Sequence, residues 1–261
     1  RTAGGRIAVR AAVSLWLLWT LLPGTVSAAA TTPTDPLRSP NWAAMVERHL
    51  NGGPVVFDER VQVRMPETAE DPMSVPVEAY VEGLDNIQEM RLIADLNPLP
   101  LILSFKPTRA DPFIAFRFKV EQSTPVRAAA RTADGVWHVG GAWLTASGGG
   151  CTAPSYGTGS GLWRDQLNEV SAGLWPRGER DSRLKLRVMH PMDTGLAAGI
   201  PVFHVESLTV EDPSGRELAQ IRTYEPVSEN PVLSLNLHHR GAVEVHGRDI
   251  QGNRIRARVA P

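Results

Sequence analysis

From residue 60 onward the chain alternates apolar and polar positions. Val61, Val63 and Met65 alternate with Arg60, Gln62 and Arg64. Val75, Val77, Ala79 and Val81 alternate with Pro76, Glu78, Tyr80 and Glu82. Ile114, Phe116, Phe118 and Val120 alternate with Ala115, Arg117, Lys119 and Glu121. A period of two sends one set into a core and the other into water, so these segments are predicted as half-buried strands. Asp134-Gly135, between Val126–Arg131 and Val136–Leu144, predicts a hairpin closed by a type I′ turn, which needs positive φ. Ahead of the strands, Trp42 to Leu50 predicts a short helix ended by Asn51-Gly52-Gly53-Pro54.

A second run begins near Arg183, where Leu184, Leu186 and Val188 alternate with Arg183, Lys185 and Arg187. Val202–Val210, Leu218–Tyr224, the set Leu233, Leu235 and Leu237, then Val243 and Val245, and finally Ile255, Ala257 and Val259 continue it. Asp212-Pro213-Ser214-Gly215 and Gln251-Gly252-Asn253 mark turns. Roughly eight strands in the first run and six in the second, with turn signals about every 8–12 residues, predict an all-β protein of two β-sandwich domains. The expected boundaries are 42–146 and 183–261, joined by a flexible glycine-rich segment over 147–182. Within that segment Leu162 to Trp175 reads as one amphipathic helix. The 23 glycines and 21 prolines fit many short strands better than long helices.

The N-terminus reads differently. Arg1, Arg6 and Arg10 precede an apolar run from Ala11 to Leu22, Pro23-Gly24 breaks it, and Val26-Ser27-Ala28 supplies small residues. The run is shorter than the ~20 residues a spanning helix needs, so residues 1–28 read as a Sec-type signal peptide. Export, with no membrane association after cleavage, is the expectation. The 27 basic and 28 acidic side chains nearly balance, which argues against nucleic acid as a partner. The single cysteine excludes an internal disulfide and any zinc site needing several thiolates.

That cysteine, Cys151, lies in Ser147–Gly161, directly after Gly148, Gly149 and Gly150. Nothing in the local sequence offers a core to bury it. The three glycines give the backbone freedom, so the thiol is expected on a mobile, exposed arm. The seven residues from Leu144 extend to roughly 23–25 Å. A thiolate is a nucleophile and an anchor for a carried group. With no His or acid inside the arm, partners would supply the chemistry at sulfur.

At this point a resemblance enters. Pro66-Glu67-Thr68-Ala69-Glu70-Asp71, Val75-Pro76-Val77, Asn97-Pro98, Phe116-Arg117-Phe118-Lys119, Asp134-Gly135 and the glycines before Cys151 resemble SoxY. His190-Pro191-Met192-Asp193-Thr194-Gly195, Ile200-Pro201 and Ser228-Glu229-Asn230-Pro231 resemble SoxZ. The whole is similar to the fused SoxYZ-like carriers associated with quinoprotein dehydrogenases. The resemblance implies two immunoglobulin-like sandwiches paired within one chain, and a covalent sulfur carrier of thiosulfate oxidation rather than an enzyme, with no cofactor or metal of its own. It implies attachment of the cargo at Cys151, and the periplasm as the destination of export. The partners it implies are periplasmic sulfur-oxidation enzymes, or a PQQ-dependent quinoprotein dehydrogenase and a c-type cytochrome. Thr152 and Ala153 stand where the family has glycines, and the arm is tethered at both ends.

Other constellations read as structural. His190 and Met192 point to packing or domain contact before metal binding, because no partner ligands stand at site-like spacing. His238-His239 point to opposite faces of a strand, and His246 reads as solvent-side. Trp137 and Trp143 read as core or interface residues. Two further functions stay open: a non-covalent docking module that never uses the thiol, and an enzyme whose nucleophile is Cys151.

Overall fold

The computed structural model describes residue 2, residues 34–159 and residues 161–261. The leader expected over residues 1–28 lies, apart from residue 2, outside the described residues. From residue 34 onward the described residues form one compact unit.

The first run supplies β1 (Val55–Phe57), β2 (Val61–Arg64), β3 (Val75–Val81), β4 (Ile87–Ala94), β5 (Leu101–Lys106), β6 (Ala110–Phe118), β7 (Thr124–Thr132) and β8 (Trp137–Leu144). The second supplies β9 (Val170–Arg177), β10 (Asp181–Val188), β11 (Val205–Glu211), β12 (Glu217–Thr223), β13 (Val232–Leu237), β14 (Val243–Asp249) and β15 (Arg254–Val259). Among the described residues these build a nine-stranded sheet, ordered β1-β8-β7-β4-β5-β12-β11-β14-β15, and a six-stranded sheet, ordered β2-β3-β6-β13-β10-β9. Their apolar faces enclose one core, so the expected all-β sandwich fold holds.

The sequence predicts two bodies held by a linker. In the structure strands of both runs pair directly in both layers. In one sheet β5 meets β12, with Phe105 opposite Ile221. In the other β6 meets β13, with Ile114 opposite Leu235. The core runs without a break from Val75 and Phe118 to Leu186 and Leu235.

The predicted helix appears as α1 (Trp42–His49). Its Trp42, Met45 and Val46, spaced three and four apart, pack with Leu50, Ile93 and Trp137 over the outer face of the nine-stranded sheet. Trp137 is buried there, whereas Trp143 is 44% exposed, so the pair does not share one environment. The Asp134-Gly135 hairpin forms, but only Gly135 takes positive φ. Its N–H donates to Thr132 O, so the type I′ expectation gives way to a turn completed by one left-handed glycine.

The helix expected over Leu162–Trp175 is corrected. Helix α2 covers only Leu162–Asp165, and the chain is strand from Val170. Gly173 weakens a helix and Pro176 stops one. In β9, Leu174 sits opposite Leu184 and turns into the core. Among the described residues no helix is long and apolar enough to cross a membrane.

Candidate functional site

Strand β6 ends at Phe118, and the next three residues build the seat of the thiol. Lys119 stands on the polar side of the predicted alternation, yet the structure buries it fully. Its ammonium donates to Met192 O at 2.5 Å. Burial pushes the Lys119 pKa down, while the charges of Asp193, the Cys151 thiol and Glu229 act in the opposite direction. Glu121 turns its carboxylate toward the cysteine loop. It accepts the N–H of Cys151 at 3.0 Å, the N–H of Thr152 at 3.1 Å and the Thr152 hydroxyl at 3.1 Å.

Cys151 is thus not on an exposed arm; its side chain is wholly buried. Its Sγ lies 3.5 Å from Lys119 O. From the second run, the Thr194 hydroxyl donates to Cys151 O at 2.6 Å, and Asp193 Oδ1 accepts the Ser155 N–H at 3.2 Å. Further along, Glu229 accepts the N–H groups of Tyr156 and Gly157. The stretch expected to be a free tether is therefore hydrogen-bonded on both sides of the sulfur. Burial is the main cause that pushes the thiol pKa up to about 12; Glu121 adds to it and Lys119 opposes it.

The three glycines have a use other than looseness. Gly150 donates to Val120 O. A Cβ at Gly150 would stand 2.0 Å from Pro72 O, so only glycine lets the backbone approach this closely. Gly148 has φ +96°, with Glu121 O 2.3 Å from where its Cβ would be. Gly149 has φ +89° and open space around it.

The His190-to-Gly195 segment closes the seat. Met192 has φ +53°, an uncommon conformation for a long side chain. Its Sδ accepts the Val205 N–H at 3.3 Å, and its carbonyl faces Lys119. His190 is fully buried against Phe203, with ring centroids 4.3 Å apart. Its Nδ1 accepts the Met192 N–H, so its proton sits on Nε2. That Nε2 has no hydrogen-bond partner and lies 3.8 Å from Asp249 Oδ2. His190 and Met192 thus act in packing, as the residues suggested. Among the described residues no group of three or more His, Cys, Asp or Glu is placed to hold a metal.

Sequence reasoning located Cys151 and its glycines but missed Lys119, Glu121 and Thr194. Only one signal pointed to Lys119: a lysine closely following Phe116 and Phe118, with the apolar Val120 next to it.

The fold and site define a two-layer β protein whose single thiol is seated where the two strand runs meet. Residues 47–151 match the family described as sulfur oxidation protein SoxY, and the last matched residue is Cys151. Among solved structures, the sulfur carrier protein SoxY from Chlorobium limicola f thiosulfatophilum is similar at 16% identity. That alignment covers 40% of this chain and 93% of the other, with a TM-score of 0.35. No curated protein matches the chain.

Proposed function

We propose that this protein is a periplasmic carrier that holds a sulfur-containing group covalently on Cys151 and presents it to partner oxidoreductases. The observation that carries this reading is the SoxY family match, which ends on the one cysteine of the chain. The seat adds support: residues from both strand runs converge on that sulfur and its loop.

Closed, the seat holds a neutral thiol and keeps it from stray oxidants. Loading requires residues 147–157 to lift, which breaks, among others, the bonds to Glu121, Glu229, Thr194 and Asp193, the Gly150 bond to Val120 O and the contact of the sulfur with Lys119 O. Joining the Cys151 sulfur to a sulfur atom of thiosulfate forms one S–S bond and releases a proton and two electrons. The electron acceptor is the partner's contribution, which fits a carrier acting beside a sulfur-oxidising or quinoprotein dehydrogenase and its cytochrome. Residues 1–28 would serve as the export signal.

A second reading, a docking module of a dehydrogenase that never uses the thiol, is favoured by one observation, the complete burial of Sγ. Tetrathionate separates the two without any partner. The thiol displaces thiosulfate from it, leaving a Cys151 thiosulfonate and a proton. The carrier reading predicts this adduct on the folded protein within hours at pH 8, its removal by dithiothreitol, and its absence in Cys151→Ser. A folded protein that stays unmodified supports the docking module.

A further inference from the structure

The outer face of the six-stranded sheet carries positive charge that its neighbours do not balance. Strand β10 turns Leu184, Leu186 and Val188 into the core and Arg183, Lys185 and Arg187 outward. Arg183 is held by Asn236 and stacks on Phe113. Lys185 and Arg187 are exposed, and among the described residues neither side chain has an ion-pair or hydrogen-bond partner. Arg117 on β6 reaches only the carbonyl and hydroxyl of Ser74, at 3.3 and 3.4 Å.

The register brings these three cations together. Arg187 lies opposite Val232 on β13, and continuing the Ser234–Ala115 register places Val232 opposite Arg117. Arg187 and Arg117 thus flank Val232 two strands apart, about 9–10 Å, and Lys185 lies one side-chain repeat away, about 7 Å. They line a groove of about 530 Å³ whose walls contain no carboxylate. Two outward acids border this face: Glu78, which is paired with Arg64, and Glu169, which stands two residues before Ser171, the partner of Arg187, and makes no ion pair with it. Solvent faces of sheets ordinarily intersperse both signs, because like charges side by side repel.

The other wall of the groove is Trp175, 53% exposed. Its indole folds back over Gly173, where a Cβ would stand 2.4 Å from the ring. Trp175 belongs to β9, the edge strand of this sheet, and Val170 to Pro176 carries no charge. Edge strands are usually guarded by charge or proline; here Pro176 and Arg177 stand only at the far end, and Val170 to Trp175, with its exposed tryptophan, carries neither, which is a protein-contact signature.

We propose that this face docks an acidic, extended segment of a partner protein, its carboxylates meeting Arg117, Lys185 and Arg187 and an apolar side chain covering Trp175. The spread of the cations suits carboxylates along a polypeptide better than one small anion. The arginines of β15 are a weaker candidate, since Glu244 lies directly opposite Arg258 and Glu206 pairs with Arg248 in the same face. The proposal is independent of what Cys151 carries.

The test uses the full chain, isotope-labelled for amide NMR, titrated with a decapeptide alternating Glu and Val. A Lys–Val decapeptide and sodium sulfate serve as controls. The expected result is saturable shifts at residues 171–175, 185–187 and 117. The double variant Lys185→Glu, Arg187→Glu should weaken binding at least about tenfold while its remaining spectrum shows an intact fold. Trp175→Ala should also weaken it. Absence of binding, shifts centred on Arg254–Arg258, equal shifts with sulfate, or affinity unchanged by charge reversal would each overturn the proposal.

Discussion

Iodoacetamide at pH 8 alkylates Cys151 in the folded protein at least about a hundredfold more slowly than in the urea-unfolded chain, the ratio being set by how seldom its loop opens. Two features of the seat set this. The sulfur has no exposed surface, so reagent reaches it only when residues 147–157 lift. In the closed seat burial and Glu121 also push the thiol up to about 12 from an ordinary 9.0, so the closed form holds little thiolate and the rate reports opening. A time course of intact mass reads the ratio directly. Equal rates in the two states would show that the seat does not close in solution. A companion variant tests the mechanism. Gly150→Ala forces a Cβ against Pro72 O and Val120 O, which are backbone atoms with no room to yield. A strain of about 1–3 kcal/mol against the closed form should speed alkylation by about 5- to 150-fold.

The second large effect is on stability against acid. Burial is the main cause that lowers the His190 pKa to about 4, with Asp249 opposing and His204 and Lys119 assisting. In the unfolded chain the ring titrates near its ordinary 6.5. Between those values the unfolded state binds a proton that the folded state refuses, so stability is complete above pH 6.5 and falls as pH drops toward 4. A shift of this size corresponds to about 3 kcal/mol. His49, lowered by burial and by Arg48 and Arg91, acts in the same direction. Urea unfolding at pH 7 and pH 4.5 should therefore show a marked loss for the parent protein. The loss should be strongly reduced in His190→Gln and only slightly changed in His49→Gln. A pH dependence unaltered by His190→Gln would contradict the assignment. Because His190 anchors the segment that carries Thr194, acid should also speed alkylation of Cys151 once the falling thiolate fraction is corrected for.

The strands were legible because their signal is local. In β3, Val75, Val77, Ala79 and Val81 go in, as the alternation requires. Strand β9 was not legible, because Ser171-Ala172-Gly173 has no apolar period and Leu174 is the one residue of the strand that is buried. The fate of the thiol was hidden for a different reason. The residues around Cys151 provide no core, and those that hold its backbone in the seat come from 30 positions before, at Glu121, and 43 after, at Thr194. Sequence reading assigned Gly148, Gly149 and Gly150 to mobility, yet Gly148 and Gly150 sit where a side chain would strike a carbonyl. Glycine permits freedom and close approach alike, and the sequence does not separate them. Lys119 shows the limit of alternation at a strand end, where the chain has left the sheet and the period no longer decides which way a side chain turns.

The central claim concerns what Cys151 holds, and intact-mass measurement of protein isolated without reductant tests it most directly. A carrier predicts a population heavier than the bare chain by a sulfur-containing group. That excess should map to the peptide holding Cys151, disappear with dithiothreitol and be absent from Cys151→Ser. Protein that emerges uniformly at the bare mass from cells actively oxidising reduced sulfur, with Cys151→Ser leaving that oxidation unimpaired, would contradict it.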